Sequence, residues 1–142
     1  MRIGGILETA LYVEDPSRSA DFYRRLFGFG VLLEGERLVA LEVAGRDVLL
    51  LFRRGATDEP FEVPGGGTIP GHGGSGRGHF AFAIEAEDVD SWKGRLESEG
   101  AGVESVVRWA GGAVSLYFRD PDGNLGELIT PGFWGLNRTG SP

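Results

Sequence analysis

The chain runs through one order of pattern elements twice, and this repetition constrains its fold more than any single motif does. The first half opens with a strand-like segment, Ile6–Val13. Asp15-Pro16 then supplies a helix N-cap followed by proline in the first turn. Ala20, Phe22, Tyr23, Leu26 and Phe27 lay an apolar stripe along that helix, and Gly28 suits a left-handed C-terminal cap. Strand patterns follow at Gly30–Leu33, Leu38–Val43 and Asp47–Arg53, with Ala44-Gly45-Arg46 as the turn between the last two. The second half repeats the sequence of elements. His79–Ile84 is strand-like, and Asp88 or a neighbour caps a helix bearing Val89, Trp92 and Leu96 that ends near Gly100. Strands are expected at Val103–Trp109, Ala113–Arg119 and Asn124–Ile129, the last pair joined by Asp120-Pro121-Asp122-Gly123.

The expected architecture is therefore α+β: two βαβββ modules whose mixed sheets curve into a cup. The modules span about residues 3–54 and 78–131 of a single domain covering 1–142, with a tail from 132. Between them, residues 55–77 are rich in glycine and proline and read as a structureless connection, either a mobile lid over a pocket or a flexible linker. Gly71, Gly73 and Gly76 spell a G-x-G-x-x-G, but a dinucleotide site needs a strand before it and a helix after it, and here a strand follows.

Composition narrows the function. With no cysteine, disulfides, thiolate metal sites and cysteine nucleophiles are excluded. The formal charge of −7 argues against a nucleic-acid partner, which needs a basic face. The opening MRIGGILETALYVEDP lacks the apolar core and cleavage site of a secretion signal, and Val48–Phe52 is too short to span a bilayer. A cytoplasmic location and no membrane partner are the expectation.

Side chains alternate across a strand. Glu8, Ala10 and Tyr12 share one face of the first strand, and His79, Ala81 and Ala83 share one face of the fifth. Glu8 and His79 occupy equivalent positions, each five residues before a strand-ending aliphatic, and their alanine neighbours leave room for a cavity. Ser115, Tyr117 and Arg119 point to the same side, opposite Val114, Leu116 and Phe118. Glu127 stands in an otherwise apolar strand between Leu125 and Ile129. A carboxylate there is costly to bury unless it is paired or metal-bound. Two readings stand: a divalent cation held by Glu8, His79 and Glu127, or carboxylates paired with arginines such as Arg119 and a hydrogen-bonded core histidine. Tyr12 and Tyr117 are candidate donors to a substrate oxygen, or residues packed with the hydroxyl at the rim. Arg119 is a candidate for an anionic group, or a partner of Glu127 or Asp120. His72 is an exposed loop histidine or a lid acid or base. No serine–histidine–aspartate set is credible, and no organic-cofactor site is expected.

Three stretches carry a resemblance. ETALYVEDPSRSADFYRRLFGF is similar to the opening of the glyoxalase/bleomycin-resistance/extradiol-dioxygenase superfamily, the vicinal oxygen chelate proteins. GHFAFAI is similar to the start of its second module. SLYFRDPDGNLGELITP resembles its closing strands, where a turn of this kind leads to a ligand glutamate. By position, the resemblance implies metal ligands at Glu8, His79 and Glu127. Glu127, Tyr117 and Arg119 are the catalytic candidates, the last two from their side-chain chemistry. Glutamate at Glu8, where many members carry histidine, favours harder ions, Mn²⁺, Fe²⁺ or Mg²⁺, with Zn²⁺ and Ni²⁺ open. The matching last-strand position of the first module falls near Leu50, which cannot ligate. Glyoxalase I enzymes typically have four protein ligands, so that activity is less expected than others of the superfamily.

The resemblance implies a metal-dependent enzyme for a small substrate with adjacent oxygens, of isomerase, lyase, epoxide-opening or dioxygenase type. The alternative is a non-catalytic binder like the bleomycin-resistance proteins. It also implies a homodimer, to which Phe133 and Trp134 are candidate anchors.

Overall fold

A computed structural model describes residues 1–136, so the last part of the expected tail lies outside the described residues. The chain divides into two compact units, 1–76 and 77–142.

The first unit is built from β1 (Glu8–Val13), α1 (Pro16–Phe27), β2 (Gly30–Glu34), β3 (Leu38–Val43) and β4 (Asp47–Arg53), followed by a small hairpin, β5 (Phe61–Val63) and β6 (Gly67–Ile69). Helix α1 starts where the sequence says it must: Asp15 Oδ1 accepts from the amides of Ser17 and Arg18 at 3.0 and 3.2 Å, meeting two of the donors a helix start leaves unpaired. It stops at Gly28, whose φ of 75° turns the chain left-handed while its amide bonds the Arg24 carbonyl. The four long strands form a sheet of order β1-β4-β3-β2, with β1 parallel to β4. Leu11, Val13, Leu41, Leu49 and Leu51 fill one face and are buried with Tyr23 and Leu26 of α1. On the other face Glu8 and Ala10 are exposed and Tyr12 is half-buried.

The second unit repeats the plan with β7 (His79–Ala83), a 3₁₀ turn (Ala86–Asp88), α2 (Val89–Ser98), β8 (Ser105–Arg108), β9 (Val114–Arg119) and β10 (Leu125–Ile129). Its sheet order is β7-β10-β9-β8, the counterpart of the first, again with the outer strand parallel to its neighbour. Asp88 sits at the cap of α2, but its side chain makes no capping bond, and only Leu96 of that helix is fully buried. Phe80, Ile84, Leu116, Phe118 and Leu128 form the rest of this core. Gly126 lies beneath Phe118: a Cβ there would come within 2.2 Å of the ring, so the missing side chain makes room for the aromatic group.

Residues 55–77 are corrected by the structure: this stretch is not structureless. Beyond the β5–β6 hairpin, the amide of His72 bonds the Thr57 carbonyl at 2.8 Å, and the Thr57 hydroxyl donates to the His72 carbonyl at 2.6 Å. A Cβ on Gly71 would meet the Asp58 carbonyl oxygen at 2.2 Å, and one on Gly74 would meet the Tyr12 ring at 2.5 Å. These two glycines serve close approach, not freedom of motion. No helix among the described residues is long and apolar enough to cross a membrane.

Candidate metal centre

Strand register fixes which side chains can meet on the open face of the second unit. Glu127 pairs with Ala81 on β7 and with Tyr117 on β9, and Leu125 pairs with His79. Residues two apart on a strand share a face, so Tyr117 and Glu127 lie in one row with Ala81, and His79 stands on the same face one row away, beside Leu125. The small side chain of Ala81 lets His79 reach the carboxylate: His79 Nε2 lies 3.3 Å from Glu127 Oε2. His79 is half-exposed, whereas the Glu127 side chain is only 8% exposed, so a negative group is held under the row.

The histidine's orientation follows from its other nitrogen. Nδ1 lies 2.9 Å from the Leu125 carbonyl oxygen, which can only accept, so Nδ1 carries the hydrogen. Nε2 is left to face the carboxylate with either a second proton or a lone pair. A lone pair against a carboxylate oxygen is repulsive unless a cation stands between them, and such a backbone bond is the support a metal-ligating imidazole uses. Two donors of the right chemistry therefore converge, and they fit a divalent ion. Among the described residues, no group of three His, Cys, Asp or Glu side chains is gathered at one point.

Tyr117 stands beside Glu127 on the neighbouring strand. Burial, then the charge of Glu127, push the Tyr117 hydroxyl above the usual tyrosine range, so it stays protonated next to that carboxylate. On the same face Trp109 Nε1 donates to Ser115 Oγ at 2.9 Å. Sequence reading named Ser115 and Tyr117 on this face but missed Trp109, which joins it only through the β8–β9 pairing. It also missed Asn124. Buried Asn124 takes the Gly78 amide on Oδ1 at 2.7 Å and donates to Asp120 Oδ2 at 2.9 Å, pinning the chain just before His79.

Arg119 takes a carboxylate partner other than the two expected ones. Its guanidinium bonds both oxygens of Glu104, at 2.7 and 3.3 Å, and the Gly123 carbonyl. It pairs with neither Glu127 nor Asp120 through these bonds. The Arg119 hydrogen bond holds the Glu104 carboxyl below its usual range.

In the first unit, Glu8 opens β1 as His79 opens β7, and it is exposed without a hydrogen-bond or ion-pair partner among the described residues. Among the described residues, neither Glu8 nor Glu127 forms an ion pair with an arginine. Ala10 pairs with Leu50, and Leu50 with Ala40, so Leu50 stands where Glu127 stands in the second unit. His72 is not a free loop histidine. Its Nδ1 shares a 2.6 Å hydrogen bond with the Tyr12 hydroxyl, and its ring packs edge-on to Phe52, centroids 4.9 Å apart.

Known proteins share this fold. The chain is 30% identical over 130 residues to the metallothiol transferase FosB of Bacillus licheniformis, covering 91% of this chain and 77% of that one. It superposes on a lactoylglutathione lyase from Agrobacterium tumefaciens with a TM-score of 0.85 and 36% identity, covering 96% of this chain and all of the other. An integron cassette protein from the mobile metagenome of a Halifax Harbour sewage outfall gives a TM-score of 0.71 at 30% identity, covering 90% of this chain and 99% of the other. The profile of one family matches residues 5–128, and with the doubled βαβββ plan it places the chain in the Glyoxalase/Bleomycin resistance protein/Dioxygenase superfamily.

Proposed function

We propose that the protein is a divalent-metal-dependent enzyme acting on a small substrate with two adjacent oxygen atoms, with 1–142 working as one catalytic domain. The observation that carries the reading is the 3.3 Å approach of His79 Nε2 to Glu127 Oε2, with Nδ1 committed to a backbone carbonyl. His79 and Glu127 supply two ligands. Glu8, the positional counterpart of His79, is the third, contributed by the same chain or by a second copy in a homodimer. The charge of two carboxylates favours Mn²⁺, Fe²⁺ or Mg²⁺ over Zn²⁺ or Ni²⁺. A bound ion with open positions supplies Lewis-acid polarisation of a chelated oxygen.

The chain's own residues prepare that chemistry. Leu125 fixes the imidazole, and Tyr117, kept protonated beside Glu127, would donate to a substrate oxygen held there. Arg119, occupied by Glu104, steadies the β8–β9 edge; contact with substrate would require releasing that pair.

Within the superfamily, epoxide opening by a thiol is favoured over glyoxalase-type isomerisation. Leu50, at the counterpart of Glu127, removes a fourth ligand, and one relative is a metallothiol transferase. In the favoured reaction a thiol sulfur bonds an epoxide carbon, the carbon–oxygen bond breaks, and the oxygen takes up the thiol's proton. Mn²⁺-loaded protein given an epoxyphosphonate and L-cysteine should form the thioether, followed by NMR. Turnover of a glutathione hemithioacetal instead would move the assignment to lyase chemistry. Binding without turnover of either would favour the second reading, a sequestering protein, which the lack of a three-ligand cluster among the described residues keeps in play.

A further inference from the structure

We propose that the open face of the second unit carries an apolar side pocket, next to Glu127, that receives an aromatic or branched-alkyl arm of the substrate; this rests on the metal-site reading above. The pocket encloses about 230 Å³. At about 30 Å³ per water in the liquid, that is roughly seven or eight waters, enough for a single ring and its linker. Its floor is Ala81, Ala83 and Ile129, the same strand face that holds His79 and Glu127. Ala81 pairs directly with Glu127, and Ile129 follows it by two residues, about 7 Å along the strand. A group seated on this floor therefore lies within a few bonds of an oxygen held at the carboxylate.

The wall is aromatic. Phe133 packs on Trp109 with centroids 4.4 Å apart, and Trp134 stands edge-on to Phe133 at 4.8 Å. Trp134 is 77% exposed and Leu136, also lining the pocket, 67%. This is apolar surface that a ligand would take out of water. Among the described residues, no charged side chain lines the cavity, and the Thr130 hydroxyl there already accepts the Val114 amide at 2.9 Å. Nothing there would compensate a charged or strongly polar group for lost water, so the arm is neutral and apolar. The polar head belongs at the metal ligands and the apolar arm at Ala83 and Phe133. Phe133 touches Trp109, and Trp134 lines the pocket, so a filled pocket should also change tryptophan emission.

Two hydroxamates separate the head from the arm. Acetohydroxamate and benzohydroxamate present the same pair of adjacent oxygens, and only the second has a ring. By calorimetry on Mn²⁺-loaded protein, benzohydroxamate should bind about tenfold or more tightly, from burial of the ring. Ala83→Leu, which fills the pocket from an exposed strand position, should remove that advantage and leave acetohydroxamate affinity unchanged. Phe133→Ala, which removes the wall, should lower the advantage as well, with thermal melts confirming that each variant folds. Equal binding of the two ligands to wild type, or an advantage that survives Ala83→Leu, overturns the pocket while leaving the metal site intact. In chelator-treated protein, benzyl alcohol should shift tryptophan emission in wild type and not in Ala83→Leu. If that shift appears but neither hydroxamate binds, the metal reading fails and the pocket stands. If the ring advantage vanishes as protein concentration rises and dimers form, the pocket belongs to a second copy and the proposal is overturned.

Discussion

Replacing Gly126 by alanine should be among the most damaging single-methyl additions this chain can receive. The new Cβ would fall 2.2 Å from Phe118 Cζ and 2.6 Å from both adjacent ring carbons. Comfortable carbon–carbon contact is about 3.5 Å, so the ring must retreat by about 1.3 Å. It has nowhere to go: Phe118 is fully buried and meets Phe80 edge-on, with centroids 6.2 Å apart. Overpacking of this kind costs about 1–3 kcal/mol, and the lack of relief puts Gly126→Ala near the upper end. Alanine's lower backbone entropy cost returns about 0.5–1 kcal/mol, leaving a net loss of about 2 kcal/mol. Phe118→Leu alone should also destabilise, by about 1–2 kcal/mol, but it vacates the space the methyl needs. The double variant should therefore be more stable than the sum of the singles by about 1–2 kcal/mol. Urea unfolding of the metal-free protein, analysed as a double-mutant cycle, measures the coupling. A Gly126→Ala variant within about 0.5 kcal/mol of wild type, or strictly additive effects, would refute the packing argument.

Three further outcomes follow from particular contacts. Gly74→Ala, which drives a methyl to 2.5 Å from the Tyr12 ring, should cost about 1–3 kcal/mol and break the Tyr12–His72 hydrogen bond, visible as a shifted His72 imidazole resonance. Ala44 holds a φ of 53° beside Gly45 at 71°, in the tight turn between β3 and β4; Ala44→Asn should gain about 0.5–1 kcal/mol in thermal unfolding, because asparagine tolerates that region better. The Arg119 bond depresses the Glu104 carboxyl in the folded state, so its stabilisation is present above the unfolded carboxyl's pKa and lost as pH falls through the folded one. Glu104→Gln should thus melt below wild type at neutral pH, with the gap closing in acid; a constant gap would count against the pair.

Helix α1 was legible because its boundaries are local: Asp15-Pro16 and Gly28 act within one turn of themselves. The strands were legible from alternation, and alternation was enough to put Glu127 on the same face as His79 and Leu50 at the matching position of the first unit. Glycine was not legible, because one signal serves two opposite ends. At Gly71 and Gly74 only the neighbours, Asp58 and Tyr12, decide that the missing side chain means close packing. Arg119 illustrates the same limit for charge. Its partner Glu104 is brought in by the β8–β9 pairing and not by sequence proximity, so neither expected partner was right. The Trp109–Ser115 hydrogen bond and the placing of Tyr117 beside Glu127 depend on strand pairing, which no local pattern encodes.

The central claim is that Glu8, His79 and Glu127 hold one metal ion. Its most direct test is elemental analysis of wild-type protein purified without chelators, beside Glu8→Ala, His79→Ala and Glu127→Ala, each checked for folding by circular dichroism. The account predicts close to one divalent ion per chain in wild type and a large loss in each folded variant, since removing one ligand of three typically costs such a site most of its affinity. Wild type that takes up no ion from Mn²⁺, Fe²⁺, Mg²⁺, Zn²⁺ or Ni²⁺, or a His79→Ala protein with unchanged metal content, would contradict it.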